Sequence, residues 1–289
     1  MKKNKFIQLL ISVIVLISCF PVSAQTKQET VLERIARTGA LRVGVREDSA
    51  PLGYRDINNH LAGVCLDYIN YLRERVQAEL NLDVLTIVIV RSTLFNRFYL
   101  VEDKVVDIEC GPNSIQRDLE RNITFSTPFF ITQAYFFIRA EDRERISLDS
   151  KLENVKLGVL RYSSTQTYLE SKFPQAIIQE FQGYRGRRRG VQAVQTGQID
   201  AFASDGILLL GEALLENLPL GSQYILISEP GAACEFYGMI LPKNDPQWEQ
   251  FVNSLVSNAQ TGEILKNWFG LAIPYLRETI KSCLPNSPY

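Results

Sequence analysis

The stretch Val106-Asp107-Ile108-Glu109-Cys110-Gly111-Pro112-Asn113-Ser114-Ile115-Gln116-Arg117 decides how this chain is read. Residues 105–109 read as a short strand, Gly111-Pro112 as a turn and Ser114 as the N-cap of a following helix, with Arg117 three residues on. A strand that hands over to a helix through a tight turn is the repeating unit of α/β folds. In open α/β sheets, ligands collect outside the C-terminal ends of the strands. A helix start there offers free N–H groups and the positive end of its dipole to an anion, and Arg117 adds a planar fork suited to a carboxylate.

Working outward, the same grammar repeats. Thr30-Val31-Leu32-Glu33 is a capping box that opens a short helix stopped at Gly39. Residues 41–45 read as a strand, and Leu66, Ile69, Leu72, Val76 and Leu80 fall on one helical face. The apolar, β-branched run 84–90 predicts a buried strand, and a helix near 96–101 precedes the strand at 105–109. Downstream, strands at 155–160, 177–181 and 200–203 alternate with helices at 164–171, 191–196 and 206–214. Two α/β units follow, joined by two extended, mostly apolar segments, 129–139 and 235–241. Neither segment is rich in Gly or Ser, so together they predict a hinge with the chain passing out and back. Helices at 247–260 and 262–268, with a stop at Gly270, complete the pattern.

Composition narrows the function. The 289 residues carry a net charge of −1, with 46% apolar and 22% charged side chains, which suits a globular protein with a sizeable core. A pI near 6.0 gives no basic excess for a phosphate backbone, so nucleic acid is not an expected partner. His60 is the one histidine, which argues against a multi-histidine metal site or a histidine-based triad. Neither metal nor cofactor is expected.

The N-terminus reads as a leader. Lys2, Lys3 and Lys5 precede an apolar run over 6–20, and Val22-Ser23-Ala24 supplies small residues for cleavage, giving a signal peptide at 1–24. These residues hold three lysines and no acid, so the charge of −1 becomes −4 once they are removed. Leu16-Ile17-Ser18-Cys19 also fits a lipoprotein box, so a lipid anchor at Cys19 stands as the alternative to soluble export. Four cysteines then remain, Cys65, Cys110, Cys234 and Cys283, and in an oxidising compartment they predict disulfides, with three pairings open. Cys234–Cys283 is favoured, and Cys65–Cys110 is the weaker expectation, with buried free thiols as its alternative.

Other strand ends carry polar groups too. Tyr162-Ser163-Ser164-Thr165 is a second hydroxyl-rich helix start, beside which Ser164 and Thr165 can share an anion. Asp205, in Phe202-Ala203-Ser204-Asp205-Gly206, suits an ammonium group, or caps the next helix. Arg46 follows the first strand, Arg97 opens a helix, and Arg187 belongs to the basic run 185–189, of which one or two members are expected to enter a cleft.

Taken in order, these blocks resemble the bacterial extracellular solute-binding proteins of family 3, the polar amino-acid receptors of ABC importers. The resemblance is carried by Leu41-Arg42-Val43-Gly44-Val45, Gly63-Val64-Cys65-Leu66-Asp67, 106–111, Phe125-Ser126-Thr127-Pro128-Phe129-Phe130, Gly197-Gln198-Ile199-Asp200-Ala201-Phe202 and Tyr237-Gly238-Met239. Arg46-Glu47-Asp48-Ser49-Ala50-Pro51 is similar to the glutamate/aspartate-binding branch.

The resemblance implies a type II periplasmic-binding-protein fold, with a mixed sheet in each lobe and two hinge crossings. Lobe 1 would comprise 25–132 and 237–289, and lobe 2 would comprise 133–236. It implies a periplasmic monomer that binds a polar amino acid, with glutamate or aspartate foremost, and delivers it to an inner-membrane permease. Arg117 would hold the ligand α-carboxylate with Ser114, Ser164 and Thr165. Asp205 would take the α-ammonium, and Arg46, Arg97 and Arg187 would read an acidic side chain.

The chain departs from the family in places. Where most members carry the carboxylate arginine this chain has Leu119, which leaves Arg121 as a rival to Arg117. The family's stacking aromatic is matched by Ser49, with Tyr54 nearby. The rival function is a periplasmic dehydratase of the same fold acting on prephenate- or arogenate-like acids, with Glu109 as acid/base.

Overall fold

The computed structural model describes residues 29–116, 119–229, 232–272, 277, 279 and 281–283. The leader expected at 1–24, its Cys19 and the expected carboxylate ligand Arg117 lie outside the described residues.

The capping box forms as the sequence requires. Thr30 Oγ1 accepts from the Glu33 amide at 3.2 Å and Glu33 accepts from the Thr30 amide at 2.8 Å. They open α1 (Val31–Thr38), which ends on Gly39 at φ 64°. Then come β1 (Ala40–Arg46), the short strands β2 (Asp48–Ser49), β3 (Gly53–Arg55) and β4 (Leu61–Ala62), α2 (Val64–Leu80), β5 (Thr86–Ser92), α3 (Arg97–Glu102), β6 (Ile108–Cys110) and β7 (Ile123–Phe125). The ten-residue β8 (Phe130–Arg139) leads into β9 (Lys156–Leu160), α4 (Ser164–Lys172), β10 (Ile177–Phe181), α5 (Gly186–Gln195), β11 (Ala201–Asp205), α6 (Gly206–Leu215) and β12 (Tyr224–Ile227). The chain returns through β13 (Cys234–Tyr237) and β14 (Ile240–Pro242) to α7 (Pro246–Val256) and α8 (Ala259–Phe269).

The strands build two mixed sheets, one in each lobe. The first runs β5-β1-β6-β14-β7 and the second β10-β9-β11-β8-β12, while β2, β3 and β4 form a small sheet of their own. β1 is parallel to β5 and β6, and β9 is parallel to β10 and β11. The two extended segments are the crossings. β8 pairs antiparallel with β11, β12 and β13, so the outgoing and returning chains lie side by side. β14, three residues past β13, already belongs to the first sheet.

Alternation along β8 shows why the second sheet is stable. Phe136 and Ile138 enter one core with Ala201 and Ala203, while Tyr135 and Phe137 enter the opposite core with Phe202. The first lobe buries the α2 face, including Ile69, Leu72 and Val76, with Val43, Val45 and Trp248.

Three expectations need correction. The run read as a buried strand at 84–90 becomes the edge strand β5: it pairs only with β1, and Val84, Val88 and Ile89 are exposed. No helix starts at Ser114. Its neighbours pair instead with the return crossing, the Ile115 amide donating to Phe236 O at 2.8 Å and the Gly238 amide to Asn113 O at 3.0 Å. A helix start would have aimed its amides into the cleft, and here the return strand takes that of Ile115. Finally, α5 begins at Gly186, five residues early, because Gly190 lets the helix lie against Phe202, where a Cβ would come within 2.1 Å of the ring. Both expected disulfides are present, Cys65–Cys110 between α2 and β6 and Cys234–Cys283 between β13 and the C-terminal segment.

Candidate functional site

The two sheets present the C-terminal ends of their parallel strands to one another. Arg46 ends β1, Pro112 and Ser114 follow β6, and Arg97 opens α3. Opposite them, Ser163, Ser164 and Thr165 follow β9, Ser204 and Asp205 end β11, and Arg187 lies in the first turn of α5. All line one cavity, with about 20 Å³ of room for a water-sized sphere.

The lobes meet around it. Ser114 Oγ and Ser164 Oγ are 3.3 Å apart, Arg187 Nη1 donates to Asp48 O at 2.6 Å, and the Arg91 guanidinium sits 4.5 Å from the Tyr184 ring. α6 rests on the small sheet so closely that a Cβ on Gly211 would lie 2.2 Å from Ala50 O.

The walls hold buried charge of both signs. Asp205 accepts from Thr165 Oγ1 at 3.3 Å and from the Tyr237 hydroxyl. Burial pushes its carboxyl above the ordinary range, against the opposing effects of Tyr237, Arg187, Thr165 and Arg97. Burial likewise pushes the Arg97 guanidinium down to about 10, helped by Arg46 and opposed by Glu109 and Asp205. Arg187 is lowered by burial too, and its Nε donates to Ser204 Oγ at 3.4 Å. Arg46 Nη1 and Arg97 Nε are buried without a hydrogen-bond partner among the described residues. A buried donor left unmade costs about 1–3 kcal/mol, so these two atoms mark where an acceptor belongs.

The structure brings together seven of the eight residues expected at the site: Arg46, Arg97, Ser114, Ser164, Thr165, Arg187 and Asp205. The eighth is Arg117, outside the described residues. Its rival Arg121 faces elsewhere: it pairs with Glu102 at 2.9 Å and lies over Tyr99. Of the basic run, Arg187 turns inward, while Arg188 pairs with Glu212 and Glu216. Ser49 is buried, Tyr54 lines a neighbouring compartment, and none of the described residues lining the central cavity is aromatic.

Sequence reasoning missed Glu235 and Tyr237 as cleft residues. The Glu235 carboxyl is raised by burial and by Asp205, against the opposing effects of Ser114, Ser164 and Arg97. A signal existed, since positions two apart in a strand share a face, and Tyr237 was already in hand as part of the return crossing.

Residues 41–271 match the family described as bacterial extracellular solute-binding proteins, family 3. The chain belongs to that family. As a solute-binding protein it has curated relatives at modest identity. It is 26% identical over 242 residues to the glutamate/aspartate import solute-binding protein of Salmonella typhimurium, covering 83% of this chain and 78% of that one. It is 25% identical over 257 residues to the L-glutamate/L-aspartate-binding protein of Pseudomonas aeruginosa, covering 84% and 81%.

Among solved structures, the ancestral amino acid-binding protein AncCDT-1, a precursor of cyclohexadienyl dehydratase, superposes with a TM-score of 0.70 at 20% identity, covering 83% of this chain and 99% of that one. An ancestral arginine-binding protein bound to arginine gives 0.68 at 18% identity, covering 80% and 99%. At these identities the structures establish the fold of this solute-binding protein, the type II two-lobed arrangement.

Proposed function

We propose that this solute-binding protein is the periplasmic receptor of an ABC importer for an acidic amino acid, glutamate or aspartate. The observation that carries the reading is the pair of unpartnered guanidinium nitrogens, Arg46 Nη1 and Arg97 Nε, in a cavity whose facing wall holds Asp205. That arrangement of charges suits a zwitterion with an additional anion, which has to enter before the lobes close, since the cavity between them has room for only about 20 Å³. The α-ammonium is assigned to Asp205 and the side-chain carboxylate to Arg46 and Arg97, with Arg187 beside them. The α-carboxylate is assigned to Arg117 and the serines Ser114 and Ser164 together with Thr165. The glutamate/aspartate-binding relatives support the same ligand class.

The mechanism is closure of lobe 2 (133–236) onto lobe 1 (25–132 and 237–289) about the β8–β13 pair. The ligand stabilises the closed form only through contacts that closure adds, and the Ser114–Ser164 and Arg187–Asp48 contacts between the lobes support this reading. The closed monomer then docks on the inner-membrane permease, whether the receptor is free in the periplasm or tethered through Cys19.

A thermal-shift screen against the twenty amino acids, followed by calorimetry, tests the reading. Glutamate or aspartate should give the largest rise, since a ligand at 100 times its Kd adds about 2.7 kcal/mol of stability. Lysine or arginine bound more tightly than glutamate would overturn it. The dehydratase reading has less support. Glu109 accepts from Ser92 Oγ and Asn113 Nδ2, both at 2.5 Å, and does not line the cavity. Turnover of prephenate or arogenate by the purified protein would restore that reading.

A further inference from the structure

The Asp48 side chain lies behind the cavity wall rather than on it. Its Oδ1 accepts from Arg46 Nε at 2.9 Å and lies 2.7 Å from Arg46 Nη2. Arg46 is 1% exposed and Asp48 17%, so the arginine side of this ion pair is out of water and the acid side partly so. The pairing occupies two of the three guanidinium nitrogens and leaves Nη1 as the free end. Asp48 also offers its main-chain oxygen to Arg187 Nη1 at 2.6 Å, so one residue touches two of the three arginines that line the cavity. Its side chain opens on a separate compartment of about 320 Å³, lined also by Glu47, Tyr54, Arg188 and Glu212.

We infer that Asp48 sets the selectivity between acid and amide at this site, as a positioning residue that acts through Arg46. An uncompensated buried guanidinium strongly prefers a carboxylate to a carboxamide. A guanidinium already neutralised by a carboxylate still donates its remaining N–H, and a carboxamide oxygen accepts that bond as well as a carboxylate does. Arg97 has no such direct partner among the described residues, but the nearby carboxyls of Glu109 and Asp205 act on it through their charge. The side-chain subsite is therefore rich in donors but low in net positive charge. It takes glutamine or asparagine with an affinity close to that for glutamate or aspartate.

This inference rests on the amino-acid reading of the cleft, and calorimetry with L-glutamate and L-glutamine separates the two. The wild-type protein should bind both, with Kd values within about tenfold. Asp48→Asn keeps the shape and an acceptor for Arg46 Nε but removes the charge, so the preference for glutamate over glutamine should rise by about tenfold or more. Asp48→Glu keeps the charge and should return the ratio towards wild type.

If Asp48→Asn weakens both ligands by one common factor, or leaves the ratio unchanged, Asp48 is only structural and the inference falls. A wild-type preference for glutamate above about a thousandfold would also overturn it, because Arg46 would then be acting with its full charge. If wild type binds neither amino acid, the reading of the cleft fails and this inference with it.

Discussion

Each lobe carries charged side chains at both ends of its central strands, and the two ends are built differently. At the far end of the first sheet, Asp107 precedes β6. It accepts from Arg34 Nη2 at 2.5 Å, from Arg42 Nη2 at 2.7 Å and from the Arg42 amide at 2.8 Å. At the far end of the second sheet, Asp200 precedes β11 and accepts from Arg145 Nη2 at 2.6 Å and the Lys156 amide at 2.7 Å. Both acids have each oxygen engaged inside the chain. At the cleft end, Arg46 and Arg97 keep nitrogens with no hydrogen-bond partner among the described residues, and Asp205 and Glu235 are pushed up by burial. The far ends are complete without a ligand, and the cleft ends are not. A fold keeps such an unfavourable arrangement where something outside the chain completes it.

The comparison breaks most readily at Asp205. Asp205→Ala should lower amino-acid affinity by at least about thirtyfold, since removing one partner of a buried charge pair costs about 2–5 kcal/mol. The protein should stay folded, because Asp205 supports no strand pairing through its side chain. Calorimetry giving an affinity within about threefold of wild type would place the ammonium elsewhere and make the cleft end no more functional than the far end.

How much of this was legible beforehand follows from what local sequence encodes. The α/β alternation, the capping box at Thr30 and the hinge segments were visible because periodicity and turn chemistry are local. Arg46, Thr165 and Asp205 were found because each sits at or just past a strand end. The helix expected at Ser114 was not formed, because its pairing partner, Phe236, lies more than a hundred residues away. The exposure of β5 could not be read either, since an apolar run does not say whether its strand lies at an edge. Tyr237 and Glu235 were hidden for a similar reason: they reach the cleft only because the return crossing lies beside β8. Asp48 was quoted within a motif, but its role depends on a turn that brings it back onto Arg46.

The dependence of the cleft end on closure gives a second test. Gly211 on α6 faces Ala50 O and Pro51 Cδ at distances of 2.2 and 3.0 Å from the position a Cβ would take. The obstruction is backbone, so it cannot swing aside. Gly211→Val should hold the lobes apart and weaken ligand binding by about tenfold to a hundredfold, while leaving the far-end ion clusters and the unliganded melting temperature almost unchanged. A variant that binds as tightly as wild type would show that the α6 contact is no part of the liganded state. A large fall in unliganded stability would show that the two ends are not independent.

The smallest effect sharpens the comparison through pH. Burial alone would raise the Asp200 pKa, but the Lys156 amide and Arg145 outweigh it and hold the carboxyl below its ordinary value. A depressed acid stabilises the fold above its unfolded value, about 3.9, and that contribution is lost as pH falls through the folded value. Asp205 is the opposite case. Burial raises its pKa, so its contribution is present below the unfolded value and lost as pH rises through the folded one. At pH 7, unliganded Asp200→Asn should therefore melt below wild type and Asp205→Asn above it, each kcal/mol moving the midpoint by about 2–4 °C. Both differences should shrink towards pH 3. If Asp205→Asn instead melts as far below wild type as Asp200→Asn does, the cleft acid is as structural as the far-end acid and the contrast between the two ends dissolves.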